Sequence, residues 1–164
     1  MKTFILCAGM LALAACSNSG DTASNRTATT EQTANLQETL LPDYLARINA
    51  NDLDTVMEGF TDDVVFQAPN APEVIGKAAL REWIGGYLAA FDTQWVKTSQ
   101  DMIVSGDYAI ERYSYQSTDT MKATGSVHTD IGKGVIIYHK EADGVWRVAH
   151  DAWSSDLPLT PPGE

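Results

Sequence analysis

The amino-acid sequence predicts an α+β fold in which helices come first and a meander of long strands comes last. Two observations carry this. Up to about residue 91, bulky apolar residues recur at helical spacing, and beyond it β-branched and aromatic residues alternate with polar ones between turn signals. Helices followed by strands, rather than alternating with them, argue for helices packed on one face of a curved antiparallel sheet.

Each element follows from its own residues. Leu41, Tyr44, Leu45 and Ile48 mark one face of a first helix, with Pro42 tolerable if it lies in the first turn. Asn51-Asp52-Leu53-Asp54 supplies an N-cap and acidic first-turn residues for a short second helix carrying Val56, Met57 and Phe60, closed before Thr61-Asp62-Asp63. Val64 to Ala68 reads as a strand stopped by Pro69, and a Pro/Asn loop follows. Gly76 then leads into Leu80, Trp83, Ile84, Tyr87, Leu88 and Phe91, the clearest helical stripe in the chain. Trp95 to Val104, Tyr108 to Thr118, Val127 to Lys140 and Val145 to Ser154 read as four long strands. Ser105-Gly106-Asp107 and Ala142-Asp143-Gly144 are the hairpin turns among them.

The N-terminal segment has a different logic. Met1-Lys2-Thr3 precedes an apolar run from Phe4 to Ala15, too short for the about 20 residues that a bilayer span needs. Leu13-Ala14-Ala15-Cys16 resembles the lipobox of bacterial lipoproteins. That resemblance implies cleavage before Cys16, acylation of Cys16 and anchoring by several chains. Ser17 stands where an inner-membrane retention signal would be Asp, so a periplasmic location on the outer membrane is the expectation. Residues 16–36 then form a lipidated, flexible tether, since 17–35 holds scarcely a bulky apolar side chain to offset its ordering entropy. Residues 37–156 are one domain and 157–164 a Pro-rich tail.

Cys7 leaves with the signal and Cys16 takes lipid, so the mature chain has no disulfide to draw on. The 164 residues carry 11 Lys+Arg against 22 Asp+Glu, a formal charge of -11. Phosphate backbones and anionic lipid repel such a surface, which argues against nucleic acid and leaves the lipid anchor as the membrane contact.

Two segments resemble a known superfamily. Asp130-Ile131-Gly132-Lys133-Gly134, through Asp143-Gly144-Val145-Trp146-Arg147-Val148, to Asp151-Ala152-Trp153-Ser154-Ser155-Asp156 looks like the C-terminal signature of SnoaL-like proteins. Tyr44 to Asp54 with Phe60-Thr61-Asp62-Asp63 resembles the opening of ketosteroid isomerases. Both belong to the nuclear transport factor 2-like superfamily. The resemblance implies a cone-shaped, curved antiparallel sheet packed on three N-terminal helices around an apolar pocket for a small apolar or amphipathic ligand, and often a homodimer.

Ketosteroid isomerase chemistry needs a carboxylate base and an oxyanion hole made from a tyrosine and a protonated acid. Tyr44 falls where the family has that tyrosine, or else only completes the first helix stripe. Ala68 occupies the position of the base, and Val135, Ile136 and Ile137 that of the acid, so isomerisation by that route is not expected.

Alternation sets Glu111, Tyr113 and Tyr115 on one strand face, which the resemblance turns inward. Glu111 is therefore either a carboxylate suited to acid/base work in a partly apolar site or a solvated residue near the mouth. On the last strand, Arg147 shares a face with Asp151 unless a bulge intervenes. The resemblance chooses Asp151 and Trp153 as inward. Asp151 is then a general base or hydrogen-bond acceptor, or it pairs structurally with Lys133. Trp83, Tyr87, Tyr113, Tyr115 and Trp153 are expected to wall the pocket. His128, His139 and His150 stand in no metal-ligand spacing, and no phosphate loop or nucleophilic triad is present, so neither metal nor cofactor is implied. Two readings follow: a binder of a small organic ligand, or a cofactor-free isomerase, cyclase, dehydratase or hydrolase using Asp151 or Glu111, with Tyr44 polarising a carbonyl.

Overall fold

A computed structural model describes residues 19–158, with side chains from residue 30 onward. The expected signal segment, the Cys16 expected to be lipidated and most of the Pro-rich tail lie outside the described residues, and no described helix is long and apolar enough to cross a membrane.

Helix α1, Ser19–Asn49, starts in the stretch expected to be a flexible tether. Its packed end explains the difference. Leu36, Leu40, Leu41 and Tyr44 are buried, and extending a helix already nucleated by tertiary contact costs far less than starting one. No Gly or Pro interrupts residues 21–41. Pro42 lies inside the helix rather than in its first turn, so the carbonyl four residues back loses an N–H donor there.

Helix α2, Leu53–Met57, is capped by Asp52, whose Oδ1 accepts from the Thr55 N–H at 2.9 Å. Phe60, expected in this helix, instead opens strand β1, Phe60–Gln67. A two-residue strand β2, Val74–Ile75, sits in the expected Pro/Asn loop. Helix α3, Lys77–Ala90, runs straight into β3, Phe91–Ser105, and hairpins follow: β4, Tyr108–Met121; β5, Val127–Lys140; β6, Trp146–Ser155.

The strands form one open, curved sheet in the order β2-β1-β6-β5-β4-β3. The expectation of an antiparallel sheet holds except at one seam, where β1 and β6 pair in parallel. A strand's own alternation encodes which face is buried and not which partner it takes, so this seam between the two halves of the chain leaves no local signal. α1 packs mainly on β3 and α3 on β1, which closes the concave face.

Two irregularities aim the side chains. In β6 the register slips between Ile137↔His150 and Tyr138↔Val148, leaving Ala149 as the bulged residue. Before the bulge Val148 points inward and Arg147 outward to Glu141 and Asp143; after it Asp151 and Trp153 point inward. Asn49 and Asn51 act as a false strand beside β3. Asn49 exchanges hydrogen bonds of 2.8 Å with the backbone N–H and C=O of Trp95, and Asn51 does the same with Thr93 at 2.8 and 2.9 Å. Together they fix the start of β3 and hence the direction of Trp95 and Lys97.

Candidate active site

The concave face encloses a cavity of about 280 Å³ with a buried floor and a half-exposed rim. Its walls are mostly aromatic. Phe66 stacks edge-on to Trp83 and Trp153, with ring centroids 5.2 and 4.9 Å apart, and Trp83 lies parallel to Tyr87 at 5.7 Å. Such contacts add to area burial and hold the wall rigid.

Asp151 forms the floor and is 2% exposed. The Tyr44 hydroxyl donates to its Oδ2 at 2.7 Å, the Tyr113 hydroxyl to its Oδ1 at 2.9 Å, and Lys97 Nζ approaches Oδ2 at 3.4 Å. The Lys97 side chain is also only 2% exposed, which makes this a buried ion pair. Three ring faces surround its ammonium, with centroids at 4.2 Å for Tyr113, 4.6 Å for Tyr44 and 5.3 Å for Trp95.

Glycine makes this arrangement possible at one position. A Cβ on Gly134 would stand 2.5 Å from Cζ and the hydroxyl of Tyr113. Only a bare backbone there lets the Tyr113 ring lie across β5 and reach Asp151.

Burial, and then the Asp151 charge, raise the hydroxyls of Tyr44 and Tyr113 well above the ordinary tyrosine value, so both are fixed donors. Burial pulls the Lys97 ammonium below its ordinary value, against the opposing charge of Asp151. At the rim, Tyr87 and Thr93 each donate to Asp119 Oδ1 at 2.5 Å. Tyr115 donates to Asp130 at 2.7 Å and Ser155 at 2.5 Å.

Of the residues expected at the site, Asp151 and Tyr44 meet, and Trp83, Tyr87 and Trp153 line the cavity. Tyr113 and Tyr115 stand behind the lining and touch it through Asp151 and Asp130. Glu111 is fully buried, which excludes the solvated alternative, but it does not line the cavity. Its Oε2 accepts from Tyr138 at 3.1 Å and its Oε1 has no partner among the described residues. Burial raises its carboxyl above the usual value, against the pull of nearby hydroxyls and of Lys97. Lys133 pairs with Asp156, not Asp151. Among the polar lining residues, sequence reasoning missed Thr93, Lys97, Ser117, Asp119 and Asp130. The missed signal is period two: Thr93, Trp95 and Lys97 lie on one strand face, and an inward Trp95 carries Lys97 inward with it.

A bent sheet closed by helices over an aromatic pocket with a polar floor defines the cone-shaped class of α+β pocket proteins. The chain belongs to the SnoaL-like domain family, whose profile matches residues 42–149. Solved structures agree on the fold. A ketosteroid isomerase-like protein from Erwinia carotovora atroseptica superposes with a TM-score of 0.68 at 27% identity, covering 75% of this chain and 95% of that one. A protein provisionally named a dehydratase of the nuclear transport factor 2-like family, from Streptomyces avermitilis, gives 0.67 at 13% identity over 78% and 99% of the two chains. A nuclear transport factor 2-like superfamily protein from Salmonella enterica serovar Typhimurium gives 0.64 at 17% identity over 85% and 99%. No protein of curated function matches the sequence significantly.

Proposed function

We propose that this SnoaL-like domain binds a small, mainly aromatic organic ligand with one polar end, while hanging from the periplasmic face of the outer membrane by a lipidated Cys16. The carrying observation is the cavity itself, which puts aromatic walls around a buried Lys97–Asp151 pair. Apolar walls with a few convergent polar groups are the composition of ligand sites. Removing two charges from water costs several kcal/mol each, roughly, so a buried pair at a cavity floor is a poor choice for stability and a good one for recognition. Among the described residues the lining carries three carboxylates, Asp119, Asp130 and Asp151, against the single ammonium of Lys97, which disfavours an anionic ligand. Neutral aromatic compounds should raise the thermal midpoint and quench tryptophan fluorescence, and Trp153→Ala should abolish both. A panel of neutral aromatics that shifts neither signal would overturn the reading.

The second reading, a cofactor-free acid/base enzyme, is favoured by the contact of Tyr44 and Lys97 with one carboxylate. A hydroxyl donor, an ammonium and Asp151 within hydrogen-bond reach can polarise a carbonyl and move a proton. The relatives described as isomerase-like and as a dehydratase support it. Unchanged turnover by Asp151→Asn, on any substrate found, removes it.

Two further parts of the proposal have their own tests. Metabolic incorporation of a clickable fatty acid into the full chain, lost in Cys16→Ser, supports the anchor. Homodimerisation is supported by the outward sheet face, where Val96, Ile103, Ile110, Ile131 and Val135 are exposed on neighbouring strands. Native mass spectrometry should show a dimer that Ile103→Lys dissociates.

A further inference from the structure

Lys97 is an unusual amine on geometry alone. Among the described residues its Nζ has one hydrogen-bond acceptor, Asp151 Oδ2 at 3.4 Å, and its other close neighbours are the faces of Tyr113, Tyr44 and Trp95. An ammonium has three donors to satisfy, whereas a neutral amine asks little of its surroundings. The groups that set its protonation are few. Asp151 touches it, Glu111 acts from the next layer without a direct contact, and the tyrosine hydroxyls are spent on Asp151 and Glu111. Burial favours the uncharged form of such a lysine, and a desolvated, neutral lysine amine is the nucleophile that attacks a carbonyl carbon in imine chemistry.

We propose that Lys97 is a carbonyl-trapping amine, which condenses with a small neutral aromatic aldehyde or ketone in the cavity to form a Schiff base, with Asp151 as its counter-ion. The proposal rests on the ligand pocket inferred above and names the substrate class for it. Its proton and electron balance closes within the site. Asp151 first takes a proton from the Lys97 ammonium. The freed Nζ lone pair forms a bond to the carbonyl carbon as the C=O π pair moves to oxygen, and one nitrogen proton passes to that oxygen, giving a neutral carbinolamine. Asp151 then returns its proton to the hydroxyl, the C–O bond breaks and water departs, while the nitrogen lone pair forms the C=N bond. The product is a protonated imine beside the Asp151 carboxylate, and no oxidant or reductant is consumed. The acidic rim and the absence of a second lining cation among the described residues disfavour the carboxylate and phosphate ligands that would otherwise compete for the ammonium.

The test incubates the full chain with benzaldehyde and sodium cyanoborohydride, which reduces an imine in place, and reads intact mass and the modified peptide. Benzyl alcohol, which has the ring and no carbonyl, reports pocket binding separately through the thermal midpoint. The expected result is one benzyl addition on Lys97 ahead of the more exposed Lys77, Lys122, Lys133 and Lys140, protected by excess benzyl alcohol. Lys97→Arg, which keeps the charge beside Asp151, should fold and lose the addition. A shift with benzyl alcohol together with benzyl mass scattered over the other lysines and absent from Lys97 would overturn the amine and leave the pocket standing. Failure of both probes would overturn the pocket as well.

Discussion

Carboxylates at the two ends of the cavity are held in opposite ways. At the floor, Asp151 is buried and met by two tyrosine hydroxyls and a buried ammonium. At the rim, Asp119 and Asp130 are half-buried and take their hydrogen bonds from neutral donors alone: the Tyr87 and Thr93 hydroxyls for one, the Tyr115 and Ser155 hydroxyls and the Ile131 N–H for the other. Water can stabilise the rim acids, so neutral donors suffice to orient them. The floor acid has lost that water, and a full countercharge has been brought in with it. The floor is therefore the costly end, where substitution should be felt most and where a bound molecule meets groups with no solvent to compete.

The sharpest break of this contrast is Asp151→Ala. It strands the Lys97 ammonium in an apolar site, and removing one member of a buried pair costs about 3–5 kcal/mol. Urea unfolding should show that loss. The double variant Lys97→Met/Asp151→Leu removes both charges at similar volume and should recover most of it, because the desolvation penalty goes with the attraction. A double variant as unstable as the single one would show that the pair is net stabilising and would weaken the case that it is kept for function.

Next in size is Gly134→Ala, which leaves every charge in place and moves only a donor. Its Cβ would fall 2.5 Å from the Tyr113 hydroxyl, so the ring must shift off Asp151 or the strand must bend. Overpacking of this kind costs about 1–3 kcal/mol. Affinity for a neutral aromatic ligand should fall along with stability. Loss of stability with unchanged affinity would put Tyr113 outside the recognition chemistry.

Glu111 sharpens the contrast by pH. Burial raises its carboxyl above the ordinary glutamate value of 4.5 in the folded chain. Between the unfolded and folded values the native protein holds a proton that the unfolded chain has released. Its contribution is therefore full below the unfolded value and is lost as pH rises through the folded one. The urea midpoint of the wild type should fall relative to Glu111→Gln as pH is raised from below 4.5 towards neutrality. Parallel midpoints across that range would mean that Glu111 titrates alike in both states.

Much of the fold was legible because its signals are local. Period two in β4 put Glu111, Tyr113 and Tyr115 on one shared face, and the Leu80, Ile84 and Leu88 stripe located α3. The site was legible only where a resemblance supplied what the pattern could not. Tyr44 and Asp151 lie 107 positions apart, and nothing local joins them. The bulge at Ala149, which lets Arg147 face solvent while Asp151 faces in, depends on pairing with β5. Lys97 was hidden for another reason: a lysine on a strand usually marks the solvated face, and its burial is bearable only because Asp151 arrives from β6, at the other end of the sequence.

The smallest effect should be Asp119→Asn at the rim. The amide keeps an acceptor oxygen for the Tyr87 and Thr93 hydroxyls and loses only a charge that water already screens. A neutral acceptor in place of an ionised one should cost about 0.5–1.5 kcal/mol, read from the same urea curves. It should also relax selection against anionic ligands, since one of three lining carboxylates is gone while Lys97 remains. Benzoate, excluded from the wild type, should then bind measurably, with benzyl alcohol affinity unchanged. If Asp119→Asn is as damaging as Asp151→Ala, the rim is as dry as the floor, and the cavity is a closed core rather than a pocket with an entrance.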